Sequence, residues 1–576
     1  MSNKLPDLEH QTRMTIALET IANHTIAKEG SIEALILAMI DGTAAGFQKA
    51  MKVFMQLNGI TVTSTPAEIT AQVTGFYQLL QDNFNWDGGV TFYCPDVSSQ
   101  SDGVRFGDNT KLTCVPSTAT TKGQDDYEGL PLFAVVDCNW QMDDTNKCPQ
   151  ITAIEGIAGQ FERYNTAKYV GVLQMTGYHY YTNPGDEGTQ TFTEGYRIGY
   201  DPSKKNCAPL PEAVAMDGTV RPWVVHAKYN AGLTDNKMTC CSGVATQGNF
   251  CHNNAITYSR NISTSYSGTC SVDIGFLQIM ARIKFASLTI DTVLNFDNSY
   301  NVTDTALVSE TGVKRVVVDA TKKSSYIVGS RVVIGTSSSH DQLRQDNASK
   351  IGYKVVSVED VTIGDTKYAA VYVESDSTFD TVAGDSDATK NTKISSAKWP
   401  TGTTDSIPGN TGSIDPTAGK YPCKLQGIEF GVGCWEVLAD TIISLTMETI
   451  DGVDTYYEEA FTVKDTSKQA TSLTDDYKSC GIKILQNGEG WTKELKWGNN
   501  GLLYPTQIGG SSSTYCRDYH YHNNQGQKQT GTREWLTFGG LHFYGGAGLF
   551  TLSGWNGLTA GWWSSASRLS PNGCRG

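Results

Sequence analysis

The chain has 576 residues and a formal net charge of −15. A chain of this length exceeds what one hydrophobic core normally holds, so we expect two to four domains. Hydrophobic residues make up 39% and charged residues 18%, which is typical of a globular protein and excludes a disordered one. The acidic balance disfavours nucleic acid and anionic membranes as ligands, because basic surfaces bind both of these.

The first residues lack the apolar segment that a secretion signal requires. The longest apolar run, 34–40, is too short to cross a membrane. We therefore expect a protein made in a cytosol, without membrane insertion and with its fourteen cysteines reduced. No Cys-x-x-Cys pair is present, so the sequence gives no sign of a zinc knuckle.

The N-terminal segment has a helical pattern. Over 9–58, apolar residues recur at three- and four-residue spacing, which predicts helices, and 67–83 is expected to add another. Met14, Leu18 and Ile21 form a narrow apolar stripe at coiled-coil spacing. We expect the chain to self-associate through this stripe; the alternative is an ordinary helical hairpin packed on its own domain.

The sequence from Trp86 to Asp273 is irregular, with many glycine and aromatic residues and with short apolar runs typical of strands. One clear helix is predicted directly afterwards, because four apolar residues lie on a single helical face: Phe276, Ile279, Met280 and Ile283. From Tyr421 the same glycine-rich and aromatic style resumes.

Residues 290–375 have the pattern of a small, separate β domain. Gly364-Asp365 predicts a hairpin between the last two of its strands. The predicted strands are 313–319, 326–334, 353–361 and 368–373. Residues 374–420 are dominated by Ser, Thr, Asp, Gly and Pro, so a linker or long surface loop is predicted there.

The chain thus begins with helices, and a β pattern then separates two glycine-rich and aromatic stretches. This order predicts a mixed α+β protein in which a β domain is inserted into a larger domain. The predicted regions are a helical oligomerisation or attachment region at 1–84, the first part of the larger domain at 85–289, the inserted β domain with its linker at 290–410, and the second part of the larger domain at 411–576.

Metal binding was considered for the alternating residues Asp518, His520 and His522, which would share one side of a strand. Alternating polar residues are more often the exposed face of a strand, so no metal site is predicted. His226 is also not interpreted as a functional residue; it is expected to be a structural histidine with a hydrogen-bond partner.

Acid–base chemistry was considered for Glu429 and Glu436, which lie seven residues apart around a Gly-Val-Gly-Cys-Trp segment. Nothing in the sequence sets the distance between the two carboxyl groups. The sequence also lacks a Gly-x-Ser-x-Gly elbow, a His-Glu-x-x-His pair and a phosphate-binding loop. We therefore predict neither an enzyme nor a cofactor.

The C-terminal segment is the most informative part of the chain. Charge is almost absent between Arg533 and Arg568, where aromatic residues, Gly, Ser, Thr and Asn prevail. This mixture is typical of a recognition surface, in which rigid aromatic rings give contact area and small polar residues give adaptable hydrogen bonds. A soluble monomer does not normally leave so much aromatic surface without a partner.

This segment resembles the C-terminal part of the variable proteins of diversity-generating retroelements. The shared pattern is Gly-Gly, a short variable run, Gly-Ala-Gly-x-Phe, a longer variable run and Trp-x-x-x-x-Arg-Leu. The matching residues are Gly539, Gly540, Gly546, Ala547, Gly548, Phe550, Trp563, Arg568 and Leu569. The chain departs from the family at Ser565-Ala566-Ser567 and in its tail, 571–576.

Internal segments of the chain resemble tail proteins of phages and prophages of gut bacteria. The matching segments are 211–223, 225–229, 426–430 and 433–438.

Together the two resemblances imply a C-type-lectin-like domain on a phage virion. The protein is then a receptor-binding protein of the tail fibre or baseplate, a homotrimer that contacts other tail proteins and attaches to a bacterial receptor, protein or glycan. The resemblance implies a scaffold of Gly539, Gly540, Gly548, Phe550, Trp563 and Arg568. It implies contact residues at His542, Tyr544, Thr551, Ser553, Trp555, Asn556, Thr559, Trp562 and Ser564.

Two alternatives remain open at this point. One is an enzyme on the same fold, similar to the formylglycine-generating or sulfatase-modifying family. The other is a purely structural virion protein whose C-terminal aromatic residues are buried against a partner.

Overall fold

The computed structural model describes residues 32–183, 191–197, 207–296, 300–486, 488–521, 528–541 and 546–576. Strands predominate over helices in these residues, and the predicted mixed α+β class is confirmed. The coiled-coil stripe of Met14, Leu18 and Ile21 lies outside the described residues. No helix of the described part is long and apolar enough to span a bilayer.

The helices begin where the local sequence supplies a cap. Thr65 accepts a hydrogen bond from the backbone N–H of Glu68, whose carboxylate accepts one from the N–H of Thr65, and Pro66 occupies the first turn. The predicted helix over 67–83 is thereby confirmed. The helices are α1 (Ile32–Leu37), α2 (Ala44–Leu57), α3 (Pro66–Asn83), α4 (His252–Arg260), α5 (Ser271–Phe285) and α6 (His340–Asp346).

Helices α2 and α3 pack on the main body of the protein. Phe47 and Phe76 are fully buried, with their ring centroids 5.6 Å apart and nearly perpendicular. The indole N–H of Trp223 donates to the Thr74 hydroxyl at 3.0 Å, which ties α3 to a central strand. The described N-terminal helices therefore belong to the same core as the rest of the body.

The first half of the body contains two antiparallel sheets. The five-stranded sheet has the order β2-β1-β7-β6-β8 and consists of β1 (Asp87–Tyr93), β2 (Val104–Gly107), β6 (Tyr178–Thr182), β7 (Thr191–Arg197) and β8 (Cys207–Pro209). The four-stranded sheet has the order β4-β3-β5-β9 and consists of β3 (Val135–Asp143), β4 (Cys148–Ile154), β5 (Tyr169–Met175) and β9 (Trp223–Ala227). A short hairpin joins β10 (Leu233–Thr234) to β11 (Lys237–Met238).

The second half of the body forms the largest sheet, in the order β25-β24-β23-β29-β30-β28-β26-β27, with β31 parallel to β23. Its strands are β23 (Trp435–Ile450), β24 (Val453–Thr462), β25 (Lys478–Leu485), β26 (Gly490–Trp497), β27 (Leu503–Ile508), β28 (Tyr519–Tyr521), β29 (Gly531–Phe538), β30 (Gly548–Ser553) and β31 (Ser565–Ala566). A three-stranded sheet precedes it: β20 (Gly412–Ser413), β21 (Cys423–Leu425) and β22 (Ile428–Phe430).

Helix α5 lies at the centre of the body. The predicted helix is present. It is buried on all of its faces and not only on the apolar face. Every residue from Ser271 to Lys284 is buried, including Arg282 and Lys284, which are fully buried. A helix that is covered on all sides must have a partner for each of its charged groups, since an unpaired buried charge is strongly destabilising.

Residues 303–396 form a sheet with a hydrophobic core of its own. The predicted hairpin is present, because Ile363 pairs with Thr366 across Gly364-Asp365. The six strands, in the order β12-β19-β15-β16-β17-β14, are β12 (Thr303–Thr305), β14 (Arg315–Asp319), β15 (Arg331–Thr336), β16 (Tyr353–Ile363), β17 (Thr366–Glu374) and β19 (Thr392–Ser396). A separate pair joins β13 (Glu310–Val313) to β18 (Phe379–Thr381).

The prediction of a linker or surface loop over 374–420 is wrong: β18 and β19 of the β domain lie within it, and the segment after them is buried in part. Trp399, Thr401 and Thr404 are buried against the main body. The Thr401 hydroxyl donates to the carbonyl of Cys241 at 2.8 Å, and the Thr404 hydroxyl donates to Glu429 at 2.9 Å. The Ser/Thr-rich composition resembled a solvated loop because the sequence does not reveal that these hydroxyls have buried partners.

The C-terminal tail is also buried. Arg575 is 1% exposed and donates to Asp440 at 2.6 Å and to the carbonyl of Asn572 at 2.8 Å. The two carboxylate oxygens of Asp440 in turn share a hydrogen bond from the backbone N–H of Ser271, at the first turn of α5. The tail therefore fastens the large sheet to the central helix.

We predict that residues 303–395 can be removed without unfolding the body. Their ends are adjacent, because the N–H of Ser396 donates to the carbonyl of Val302 at 2.8 Å, so a short glycine linker closes the gap. The shortened protein should keep one cooperative thermal transition at a lower temperature, since Arg344 and Ala348 no longer cover Trp563.

Removal of 290–410 serves as the contrasting variant. It takes away the buried Phe296 and Trp399 together with the hydroxyl that binds Glu429, so we expect aggregation or a non-cooperative transition in calorimetry. Equal behaviour of the two deletions would contradict the boundary drawn here.

Candidate functional site

A cleft of about 350 Å³ opens where the last strands of the large sheet end. Trp435, Tyr521, Trp555 and Trp562 give it aromatic walls, and Glu489 lines it as well. We call it the aromatic cleft. Five of the predicted contact residues line it: Ser553, Trp555, Asn556, Trp562 and Ser564.

Strand β30 delivers the first group of these side chains. It lies antiparallel to β29 and parallel to β28, and it ends at Ser553. Gly554 follows, where a Cβ atom would lie 2.7 Å from the Ile443 side chain. The tight turn then projects Trp555 outward, and the carbonyl of Asn556 accepts a hydrogen bond from the Glu534 N–H at 3.0 Å.

A second turn positions Trp562. Its backbone N–H donates to the Ser565 hydroxyl at 2.9 Å, and that hydroxyl donates to the carbonyl of Phe250 at 2.6 Å. Trp562 thus faces solvent from a backbone that is fixed to the α4 region. The next residue, Trp563, points the opposite way and is buried.

The aromatic rings of the cleft differ in exposure. Trp555 and Trp562 are 42% and 44% exposed, whereas Trp435 is 6% exposed. The rings of Trp435 and Tyr521 have their centroids 5.7 Å apart and an interplanar angle of 88°. Two perpendicular rings therefore form a fixed corner, and two exposed indoles are available to a ligand.

A carboxyl group lies beneath the cleft. Glu534 is fully buried; it accepts hydrogen bonds from the His252 N–H at 2.6 Å and from the Asn556 side chain at 3.3 Å. Burial raises the pKa of Glu534 to about 8, although these two hydrogen bonds oppose the rise.

Four predicted contact residues do not fit the cleft or cannot be placed in it. Thr551 does not line the cleft; it is buried and donates to the carbonyl of Gly546 at 2.8 Å, so its prediction as a contact residue is wrong. Thr559 is exposed but lies outside the cleft lining. His542 and Tyr544 lie outside the described residues.

Two of the predicted scaffold glycines occupy positions that disfavour a side chain. At Gly548 a Cβ atom would lie 1.3 Å from a carboxylate oxygen of Asp518, so no side chain fits there. Gly539 has a φ of +114°, in the region that favours glycine, and Gly540 is buried. Phe550 is fully buried beneath the guanidinium of Arg282, 5.3 Å from its ring centroid.

Arg568 is the most highly connected scaffold residue. It is 1% exposed and forms a two-pronged ion pair with Glu436, with its Nε 2.8 Å from one carboxylate oxygen. It also donates to the backbone carbonyls of Ala227 at 3.0 Å and Glu429 at 3.2 Å. Arg568 therefore links the last segment to three other parts of the body.

Trp563 packs between the body and the inserted β domain. It clusters with Tyr300, Ala348 and Leu541, and the guanidinium of Arg344 lies 4.7 Å from its ring centroid. The β domain thus supports the floor beside the aromatic cleft, a role that its sequence does not suggest.

Five residues that were not predicted as contacts complete the cleft: Trp435, Glu489, Tyr521, Leu536 and Ser565. Trp435 lies within the segment 433–438 that resembles phage tail proteins, which was the available signal. Glu489 and Tyr521 stand in polar, loop-rich stretches without a recognisable pattern.

The histidine and carboxylate candidates are structural. Asp518 and His520 both point into the protein, so the interpretation as an exposed strand face is wrong for them. No cluster of three metal-binding side chains is seen among the described residues, and His522 lies outside them. Burial raises the pKa of Asp518 well above its ordinary value, and the nearby Asp291 raises it further.

His226 has the partners expected of a structural histidine. Its ring lies 3.0 Å from Asp273 and 3.2 Å from Glu212, and it stacks on Phe276. Burial alone would lower its pKa, but the hydrogen bonds to Asp273 and Glu212 raise it to about 9.

Glu429 and Glu436 are both buried in separate polar networks. Glu436 pairs with Arg568, and Glu429 accepts hydrogen bonds from the backbone of Gly402 and Thr404 at 2.9 and 2.8 Å. The two carboxyl groups therefore hold the fold together.

The sequence matches no protein-family model, and it has no similar protein among curated sequences. The site is therefore interpreted from its geometry and from the resemblance of its motif.

We predict that Gly548→Ala destabilises the protein by more than about 2 kcal/mol, because the new methyl group would overlap the buried Asp518 carboxylate. Gly557→Ala is the matched control: no atom lies within 4 Å of its added Cβ, so a change within about 0.5 kcal/mol is expected. Chemical denaturation of both variants measures the difference, and equal stability would contradict the assigned geometry.

A pH dependence follows from Glu534. Its pKa is raised in the folded protein from 4.5 to about 8, so the folded state binds the extra proton. Its contribution to stability is then complete below about pH 4.5 and is lost as the pH rises through 8. Between pH 5.5 and 8.5 the wild type should lose at least about 1 kcal/mol more than Glu534→Gln.

Urea unfolding at the two pH values measures this difference. The exposed Glu359→Gln should keep the wild-type dependence. A Glu534→Gln variant with the wild-type slope would show that Glu534 does not titrate in this range.

Proposed function

We propose that this protein is a receptor-binding protein of a phage virion, which attaches to the bacterial surface through the aromatic cleft. It is a binding protein and not an enzyme. It stands at a tail fibre or baseplate tip, bound to other tail proteins, and its receptor is a protein or a glycan.

One observation carries this proposal. The predicted contact residues Ser553, Trp555, Asn556, Trp562 and Ser564 come from two separate turns and meet in one cleft. Two of them are tryptophans that remain more than two-fifths exposed. Exposed aromatic side chains grouped with small polar ones are typical of a binding surface, where such rings supply most of the binding energy.

The neighbouring scaffold supports the same interpretation. Gly548, Phe550, Trp563 and Arg568 are buried, and Arg568 is held by charge-assisted hydrogen bonds. A rigid frame around exposed turns tolerates substitution in the turns, which is how a C-type-lectin-like domain with variable contact residues would work. We therefore propose that 411–576 forms the greater part of such a domain.

The proposed assembly is a homotrimer, with the N-terminal region 1–84 as the attachment and oligomerisation region. Several copies on one virion increase the effective concentration of each site, so individually weak contacts suffice for attachment.

We predict that Trp555→Ala and Trp562→Ala each weaken binding to host cells by about 2 kcal/mol or more, because each removes an exposed indole from the cleft. The melting temperature should change little, since both side chains are largely exposed. Flow cytometry with labelled full-length protein, first on a panel of bacteria and then on a strain that binds, measures the affinity.

Tyr164→Ala is the matched control, since Tyr164 is 71% exposed and does not line the cleft. It should leave adsorption unchanged. If both tryptophan variants adsorb fully and are fully stable, the cleft does not mediate host attachment. The alternative of a structural virion protein would then be favoured.

A further inference from the structure

Four aromatic side chains line the aromatic cleft. Trp435 and Tyr521 meet at 88°, and Trp555 and Trp562 add two exposed indoles. The face of an aromatic ring carries partial negative charge, so rings that surround a small volume attract a cation and especially one with a weak hydration shell.

Two polar side chains of the cleft donate their hydrogen bonds inward. Both hydrogens of the Asn556 amide are donated inward, to Glu534 and to the carbonyl of Ala560, each at 3.3 Å. The amide oxygen is therefore the atom that can face a ligand. The Ser565 hydroxyl likewise donates inward, to the carbonyl of Phe250 at 2.6 Å.

The charges near the cleft are acidic. Glu489 lines it and Glu534 lies behind Asn556, whereas no Lys, Arg or His belongs to the lining in the described part of the chain.

We propose that the aromatic cleft binds a quaternary or methylated ammonium group displayed on the bacterial surface. This inference rests on the proposed function and names the chemical class of the receptor group. The methyl groups contact the ring faces, the positive charge is stabilised by those faces and by Glu489, and the small volume suits a group the size of choline.

Isothermal titration of the full-length protein with choline and with 3,3-dimethylbutan-1-ol tests the proposal. The two probes have the same shape, and the second replaces the charged nitrogen by carbon. We expect choline to bind at least about tenfold more tightly. Equal affinities would overturn the proposal, as would the absence of choline binding.

Two pairs of variants locate the binding. Trp555→Phe keeps a π face and should retain most of the choline affinity, whereas Trp555→Ala should lose about tenfold. Glu489→Gln should weaken choline binding and leave that of the neutral alcohol unchanged. Unchanged choline binding in Trp555→Ala would place the cation elsewhere and overturn the assignment, and melting temperatures verify that each variant is folded.

The adsorption experiment separates the two proposals. Adsorption that depends on Trp555 without choline binding supports attachment through the cleft and rejects an ammonium receptor. Choline binding without any effect of Trp555→Ala on adsorption supports the cationic ligand and rejects the role in host attachment. Competition of adsorption by choline, and not by the neutral alcohol, supports both.

Discussion

The buried charges on the central helix α5 constrain the rest of the structure. Each of them has a partner from a different element: Arg282 pairs with Glu194 on β7, Lys284 with Asp125 in a loop at 2.6 Å, and Asp273 with His226 on β9 at 3.0 Å. Removal of one member of a buried pair leaves an uncompensated charge, which typically costs about 3–5 kcal/mol. The helix can therefore be accommodated only when these distant elements assemble together.

The C-terminal segment depends on this arrangement. Asp440 on β23 binds both the first turn of α5 and Arg575, and Glu436 on the same strand binds Arg568. Two arginines of the last nine residues thus reach charges on one strand of the large sheet. The two turns of the aromatic cleft lie between β29 and these fastened residues, so their backbone is held at both ends.

Local sequence signals predicted local structure well. The helix expected over 67–83 is present and is capped at Thr65, and the hairpin at Gly364-Asp365 follows from its turn residues. The sequence did not reveal partnerships between distant residues. Trp435 reaches the cleft from more than a hundred residues before Trp555, and Thr404 is buried because its hydroxyl meets Glu429. Such contacts depend on tertiary assembly, which neither spacing nor composition encodes directly.

The division between scaffold and contact residues has a physical basis in this chain. Thr551 and Ser553 are two residues apart on β30 and point to the same side of the strand, yet Thr551 is enclosed by the Gly546 carbonyl whereas Ser553 reaches the cleft at the strand end. Side chains beyond that end, such as Trp555, contact solvent and carry none of the buried charge pairs. Substitutions there leave the ionic network around α5 intact. A substitution of Asn556 would remove a hydrogen bond to the buried Glu534, because this side chain connects the cleft to the interior.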